Sequence, residues 1–171
     1  HIFILNIYCK NVKSFVYLPV FAVLIISFSV VQNVYATGGT ISNSSSCAAE
    51  GGKMDKNNNC IFINLKVNSG ETLTINAGVS VTICSNNGGK IINSGTINNE
   101  GQLGFCHYMS MENSGSIINS GTIYSGANPF TNSGTIDNTG TFDNTGQIDN
   151  TGQITNQCKT KYSGNLPSGV P

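Results

Sequence analysis

Between Asn132 and Thr155 the chain reads NSGTID, NTGTFD, NTGQID, NTGQIT: four consecutive hexads, each carrying one apolar residue (Ile136, Phe142, Ile148, Ile154) at the same place. A six-residue unit cannot bury its own apolar side chain and must bury it against copies of itself. A period this short and strict therefore predicts a solenoid of stacked coils rather than a fold closed around one compact core.

The same register runs back through most of the chain. Ile91, Ile97 and Leu103 fall six apart, and Met111, Ile117 and Ile123 resume after two extra residues at Phe105-Cys106-His107-Tyr108. Phe130 opens the final run after one extra residue around Gly126-Ala127-Asn128-Pro129. Upstream, Val67, Leu73 and Val79 are also six apart and in frame with Ile91, leaving Ser85 as the one polar slot among fifteen.

Two residues after most slots comes asparagine (Asn93, Asn99, Asn113, Asn119, Asn132, Asn138, Asn144, Asn150), then Ser or Thr, then glycine. Side chains alternate along a strand, so a slot that points inward places the asparagine on the same side. These amides are expected to form ladders, each bonding to the one in the next coil, because a buried polar group without a partner costs about 1 to 3 kcal/mol. The competing reading leaves them exposed in turns. Glycine four residues after the slot is expected to supply a positive φ at each corner.

The aspartates decide how many hexads close a coil. With two per coil, Asp137 would stack on Asp149, and like charges directly opposed across strands are destabilising. With three per coil, Asp137, Asp143 and Asp149 occupy three different faces and Asp137 stacks on Thr155. The expected fold is all-β: a parallel β-solenoid, three-sided, of about five coils.

The ends of the chain differ in composition. Lys10 and Lys13, the apolar run Phe15 to Val31 and the small residues around Ala36 read as a secretory signal over 1–36, cleaved before Thr37. The alternative is an uncleaved anchor, which would be the chain's one contact with a membrane. Residues 37–66 carry Cys47 and Cys60, expected to close a disulfide loop worth about 3 kcal/mol and to form an N-terminal cap. The repeat is assigned to 67–156, and 157–171, with Cys158, Lys159, Lys161 and Pro167, to a second cap or a tail. Cys84 and Cys106 lie about one coil apart and form a second candidate pair, which leaves Cys158 over.

No catalytic, metal or cofactor constellation is expected. The chain has no arginine, and residues 37–171 hold six lysines against eight carboxylates, a balance that gives no footprint for nucleic acid. His107 beside Cys106 reads as a loop residue next to a disulfide, since neighbours in a loop usually point apart. One aspartate per face supplies neither the paired carboxylates of glycoside hydrolysis nor the six to eight oxygens of a calcium site. An ice-binding face would repeat one threonine pair, whereas Thr96, Thr122, Thr135 and Thr141 give way to Gln147 and Gln153. Asn43-Ser44-Ser45 is a candidate glycosylation sequon in a surface loop.

The NSGTI and NTGQI hexads, preceded by LKVNSGETLTINAGVSVTI over Leu65 to Ile83, resemble secreted Asn-Ser-Gly-Thr-Ile repeat proteins frequent among archaea. More distantly they resemble the β-helix of filamentous-haemagglutinin-type adhesins. The resemblance covers about residues 47 to 156 and implies a parallel β-solenoid at the cell exterior, leaning towards right-handed. The left-handed hexapeptide helix of acyltransferases shares the period, but its glycine directly after the aliphatic residue is missing here. The functional expectation is a non-enzymatic, secreted or cell-surface structural or adhesive element contacting glycans or other surface proteins. The alternative is a polysaccharide-active enzyme of the pectin-lyase-like kind, which needs clustered acids with a basic partner.

Overall fold

The computed structural model describes residues 36–126 and 129–157, and the backbone of Lys161–Gly164. Residues 1–35, which hold most of the expected signal segment, and Cys158 lie outside the described residues.

The chain opens with β1 (Thr40–Ile41), a short helix α1 (Ser44–Ala49) and β2 (Lys53–Met54), which pairs antiparallel with β3 (Asn59–Phe62). Short strands then succeed one another. They are β4 (Asn64–Val67), β5 (Thr72–Ile75), β6 (Ser80–Ile83), β7 (Lys90–Asn93), β8 (Thr96–Asn99), β9 (Gln102–Phe105), β10 (Ser110–Asn113) and β11 (Ser116–Asn119). The series ends with β12 (Thr122–Gly126), β13 (Phe130–Asn132), β14 (Thr135–Asn138), β15 (Thr141–Asn144), β16 (Ile148–Asn150), β17 (Gln153–Asn156) and β18 (Lys161–Gly164).

Every third strand joins the same sheet. Sheet A runs β4-β7-β10-β13-β16, sheet B runs β1-β5-β8-β11-β14-β17, and sheet C runs β2-β3-β6-β9-β12-β15-β18. All the pairings between coils are parallel, so the molecule is a three-sided parallel β-solenoid of five turns from β4 to β18. Asp137 pairs with Thr155 on sheet B, Asp143 with Tyr124 on sheet C and Asp149 with Thr131 on sheet A. Three hexads close one coil, and the acidic residues occupy three faces.

The coils shorten along the axis. Asn64 pairs with Lys90, 26 residues on, Lys90 with Ser110, 20 on, and Phe130 with Ile148, 18 on. The extra length lies in the corners. After β4 and β5, four-residue turns close with Glu71 N–H on Asn68 O and Val79 N–H on Asn76 O, and Gly70 and Gly78 carry φ of +83° and +81°. This corrects the slot assignment in the first coil. Leu65, not Val67, pairs with Ile91, and Val81, not Val79, pairs with Leu103, while Leu73 does occupy its slot opposite Ile97. Val67 takes the position of Asn93, Val79 is a buried corner residue, and Ser85 sits in the corner before β7. The six-residue spacing of Val67, Leu73 and Val79 thus joins three structurally different positions, because those strands are eight residues apart.

From Ile91 the remaining slots are as read. Ile91, Met111, Phe130 and Ile148 stack on sheet A, Ile97, Ile117, Ile136 and Ile154 on sheet B, and Leu103, Ile123 and Phe142 on sheet C. All are buried but Ile154, which is partly covered in the last coil. Phe130 and Phe142 stack at a ring-centroid distance of 5.9 Å across the interior. The core is one narrow column of apolar side chains, aliphatic and aromatic, each buried against its counterparts above and below.

The corner glycines contradict the positive-φ expectation. None of Gly95, Gly101, Gly115, Gly121, Gly134, Gly140 and Gly152 has a positive φ. Their constraint is proximity: a Cβ on Gly115 would collide with the carbonyl oxygen of Gly95, one on Gly134 with that of Gly115, and one on Gly152 with that of Gly134. The corners also bond between coils, with Ser114 and Gly115 both donating to Asn93 O at 2.8 and 3.1 Å. Glycine is required because backbone stacks directly on backbone.

At the N-terminal end, β1 and β3 begin an incomplete coil, which α1 and the β2–β3 hairpin complete into a cap. Asn43 caps α1 through a reciprocal pair of hydrogen bonds with Ser46, so the sequon asparagine is an exposed helix cap. Cys47 is bonded to Cys60, tying α1 to β3. Gly52 lies against both sulfurs, with no room for a side chain. At the other end β18 pairs with β15, so strand pairing continues past Asn156, where the sequence repeat stops.

Candidate functional site

The asparagines after the slots on sheets A and B are linked in two ladders, buried as far as Asn132 and Asn138, with Asn150 half-buried and Asn156 exposed in the last coil. On sheet A, Asn93 Nδ2 donates to Asn113 Oδ1 at 2.7 Å, Asn113 to Asn132 at 2.6 Å and Asn132 to Asn150 at 2.7 Å. On sheet B, Asn99 donates to Asn119 at 2.7 Å, Asn119 to Asn138 at 2.7 Å and Asn138 to Asn156 at 2.9 Å. The second amide proton of Asn93 and of Asn99 reaches a strand carbonyl, Ser116 O and Thr122 O respectively. Sheet C differs: its equivalent positions are Phe62, Ile83 and Phe105, and Asn144 accepts from the Ser125 hydroxyl rather than from another amide. Each ladder begins with an orphan, since Asn93 Oδ1 and Asn99 Oδ1 are buried and accept no hydrogen bond among the described residues. The rungs beneath them are Val67 and Ile75, which have no donor. The interior polar system is structural, and any contact with a ligand falls to the outer faces.

Those faces differ in chemistry. Sheet A carries charge: Lys90 and Glu112 form an ion pair at 2.5 Å on adjacent coils. Sheet B shows Thr72, Thr96, Ser116, Thr135 and Gln153 in one column and Thr74, Asn98, Ile118, Asp137 and Thr155 in the other. That variation is not the repeated threonine pair of an ice-like lattice.

Sheet C carries Tyr124, the one exposed aromatic on a strand face among the residues whose side chains are described. The outward column runs Ile61, Thr82, Gly104, Tyr124, Asp143. Gly104 has no side chain, a Cβ there would meet only the Tyr124 carbonyl oxygen at 4.0 Å, and Tyr124 beside it is 48% exposed. Their juxtaposition leaves a notch beside the phenol ring, lined by Ser80, Thr82, Gln102 and Thr122. The notch continues onto the corner between sheets B and C, where Ser80, Gln102 and Thr122 also border a depression with Asn57, Asn58, Gly78 and Glu100. Asn58, at φ +62°, donates to Gly78 O at 3.2 Å and so joins the cap hairpin to this corner. The result is a trough across three coils with hydroxyls, amides, one carboxylate and one aromatic face. Sequence reading did not find it, because Gly104 and Tyr124 are twenty residues apart and become neighbours only through the coil length at that point.

The other sequence candidates are dispersed. His107 and Tyr108 are exposed in the corner after β9, with ring centroids 6.4 Å apart. Cys106 is bonded to Cys84, so this corner is clamped to the one beneath it. Among the described residues no three of His, Cys, Asp and Glu come together as a metal set, and no helix is long and apolar enough to cross a membrane. Asp137, Asp143 and Asp149 share no face. Comparison with family models, curated proteins and solved structures finds no match to this chain.

Proposed function

We propose that the protein is a non-enzymatic structural or adhesive element of the cell exterior, and that it contacts neutral glycans through the trough on sheet C. The observation that carries this reading is the placement of Tyr124 beside Gly104, flanked by Gln102, Thr122, Ser80 and Thr82. A sugar ring presents an apolar C–H face and a rim of hydroxyls. An exposed phenol ring receives the first, and amide and hydroxyl side chains receive the second. Because the solenoid frame is held by ladders and stacked corners, the trough is pre-formed, which lowers the ordering cost of binding. Two disulfides suit an oxidising compartment, in keeping with export.

The reading is tested by screening the purified protein against a broad panel of neutral and acidic glycans, followed by titration of the best ligand with wild type and Tyr124→Ala. Binding that prefers neutral glycans and weakens at least about tenfold in Tyr124→Ala, the loss of about 1.4 kcal/mol, supports it. Silence across the panel assigns the protein a purely structural role, and binding indifferent to Tyr124 places the glycan contact away from this trough.

A further inference from the structure

Glu50 is a carboxylate almost withdrawn from water, at 4% exposure, at the C-terminal end of α1. Its carboxylate turns back to one residue. Thr37 N–H donates to Oε2 at 2.6 Å and the Thr37 hydroxyl donates to Oε1 at 3.1 Å. The chain is shaped to allow this. Gly38 turns at φ +78°, and Gly39 lies so close to Oε1 that a Cβ there would collide with it. Among the described residues both hydrogen bonds to this carboxylate come from Thr37, and neither donor is charged in the intact chain. Burial of an anion with only neutral partners is costly, and a cation at one of those donors would remove the cost.

Thr37 is also the residue that the signal sequence marks as the new N-terminus. We infer that Glu50 is the built-in binding site for the α-ammonium group created by cleavage between Ala36 and Thr37. In that step a leader peptidase of the export machinery adds water to the Ala36 carbonyl carbon, and the C–N bond breaks. Ala36 leaves as a carboxylate and the Thr37 nitrogen takes up a proton, with no oxidation or reduction. The nitrogen that donated as an amide becomes a cation in the same place, and a separation of 2.6 Å suits a charge-assisted bond. Before cleavage Ala36 is buried against the first coil, with its N–H on Lys66 O at 2.9 Å. Processing exchanges that contact for an ion pair joining the start of the mature chain to the end of α1.

The test begins with the full chain expressed in an exporting host and the N-terminus of the product read by intact mass and sequential degradation. The expected first residue is Thr37. The rate of reductive methylation of the α-amino group is then compared in the mature protein, in Glu50→Gln, and in a chain with one extra glycine before Thr37 and Glu50 intact. Stabilisation of the ammonium form by about one pH unit makes the mature amine about tenfold slower to react than either comparison. The glycine-extended chain keeps the test decisive if Glu50→Gln fails to fold. A product that begins elsewhere, or a Thr37 amine that reacts as fast as the displaced one, overturns the inference.

Discussion

Asn113 Nδ2 lies 2.6 Å from Asn132 Oδ1, one coil away, and both side chains are buried. The same amide group of Asn113 accepts from Asn93 at 2.7 Å. Asn113 is therefore a middle rung, whereas Asn93 is the first rung and its own oxygen is unpaired.

The two positions are expected to respond differently to truncation. Asn113→Ala removes two rungs and leaves Asn132 Oδ1 without its donor, a loss of about 2 to 4 kcal/mol. Asn93→Ala orphans Asn113 Oδ1 but deletes an oxygen that was already unpaired, so it costs about 1 kcal/mol. Urea unfolding of both variants checks the ranking, and equal costs would mean that the ladders add nothing beyond packing.

Gly115→Ala places a methyl group against the Gly95 carbonyl, which belongs to the backbone of the next coil and cannot swing away. A loss of about 3 kcal/mol is expected. Gly70→Ala meets no neighbour and suffers only from its φ of +83°, so about 1 kcal/mol is expected. Gly104→Ala is expected to be neutral in stability while narrowing the trough. Thermal melts of the three variants test the order.

Removing the Cys47–Cys60 bond as a double alanine variant is expected to cost about 3 kcal/mol. Because each coil of a solenoid contacts only its neighbours, the effect should be local. Amide hydrogen exchange should rise in α1 and β3 and stay unchanged in β10 to β15. A uniform rise would show that cap and coils unfold as one unit.

Asp55 closes the turn between β2 and β3. Its carboxylate accepts from the Asn59 backbone, from the Asn59 side chain and from Asn57 N–H, at 3.0, 3.1 and 2.7 Å. The hydrogen bonds from Asn59, followed by the weaker effects of Asn57 and Lys56, hold its pKa below the ordinary carboxylate value. A lowered folded pKa means that the contribution is complete above the unfolded value, about 3.9, and is lost as pH falls through the folded value. In a melt series from pH 6 downward, Asp55→Asn should flatten the part of the acid decline that lies below pH about 4. An acid limb identical to wild type would contradict this.

Much of the architecture is legible in the sequence because the repeat leaves few choices. Ile91 to Ile154 fix the register, and the aspartates disfavour a two-hexad coil by charge. Legibility fails where the same spacing arises from different geometry. The corners of the first coil are longer, so Val67 and Val79 match the hexad frame without occupying its slots. A glycine at a corner ordinarily signals a need for positive φ, whereas here the need comes from a neighbouring coil that local sequence does not show. Strand β18 carries no hexad pattern and is held by backbone pairing to β15. The trough was hidden for a related reason: it depends on which residues of successive coils align.

The central claim is that three hexads close each coil, since the ladders, the corner stacking and the Tyr124–Gly104 notch all follow from that register. Paired spin labels at 137 and 155, and separately at 137 and 149, test it in one experiment. On adjacent strands of sheet B the first pair has backbones about 4.8 Å apart and should show strong dipolar broadening. The second pair lies on different sheets and should show little. Strong broadening at 137 and 149 with none at 137 and 155 would mean a two-sided coil and would contradict the account.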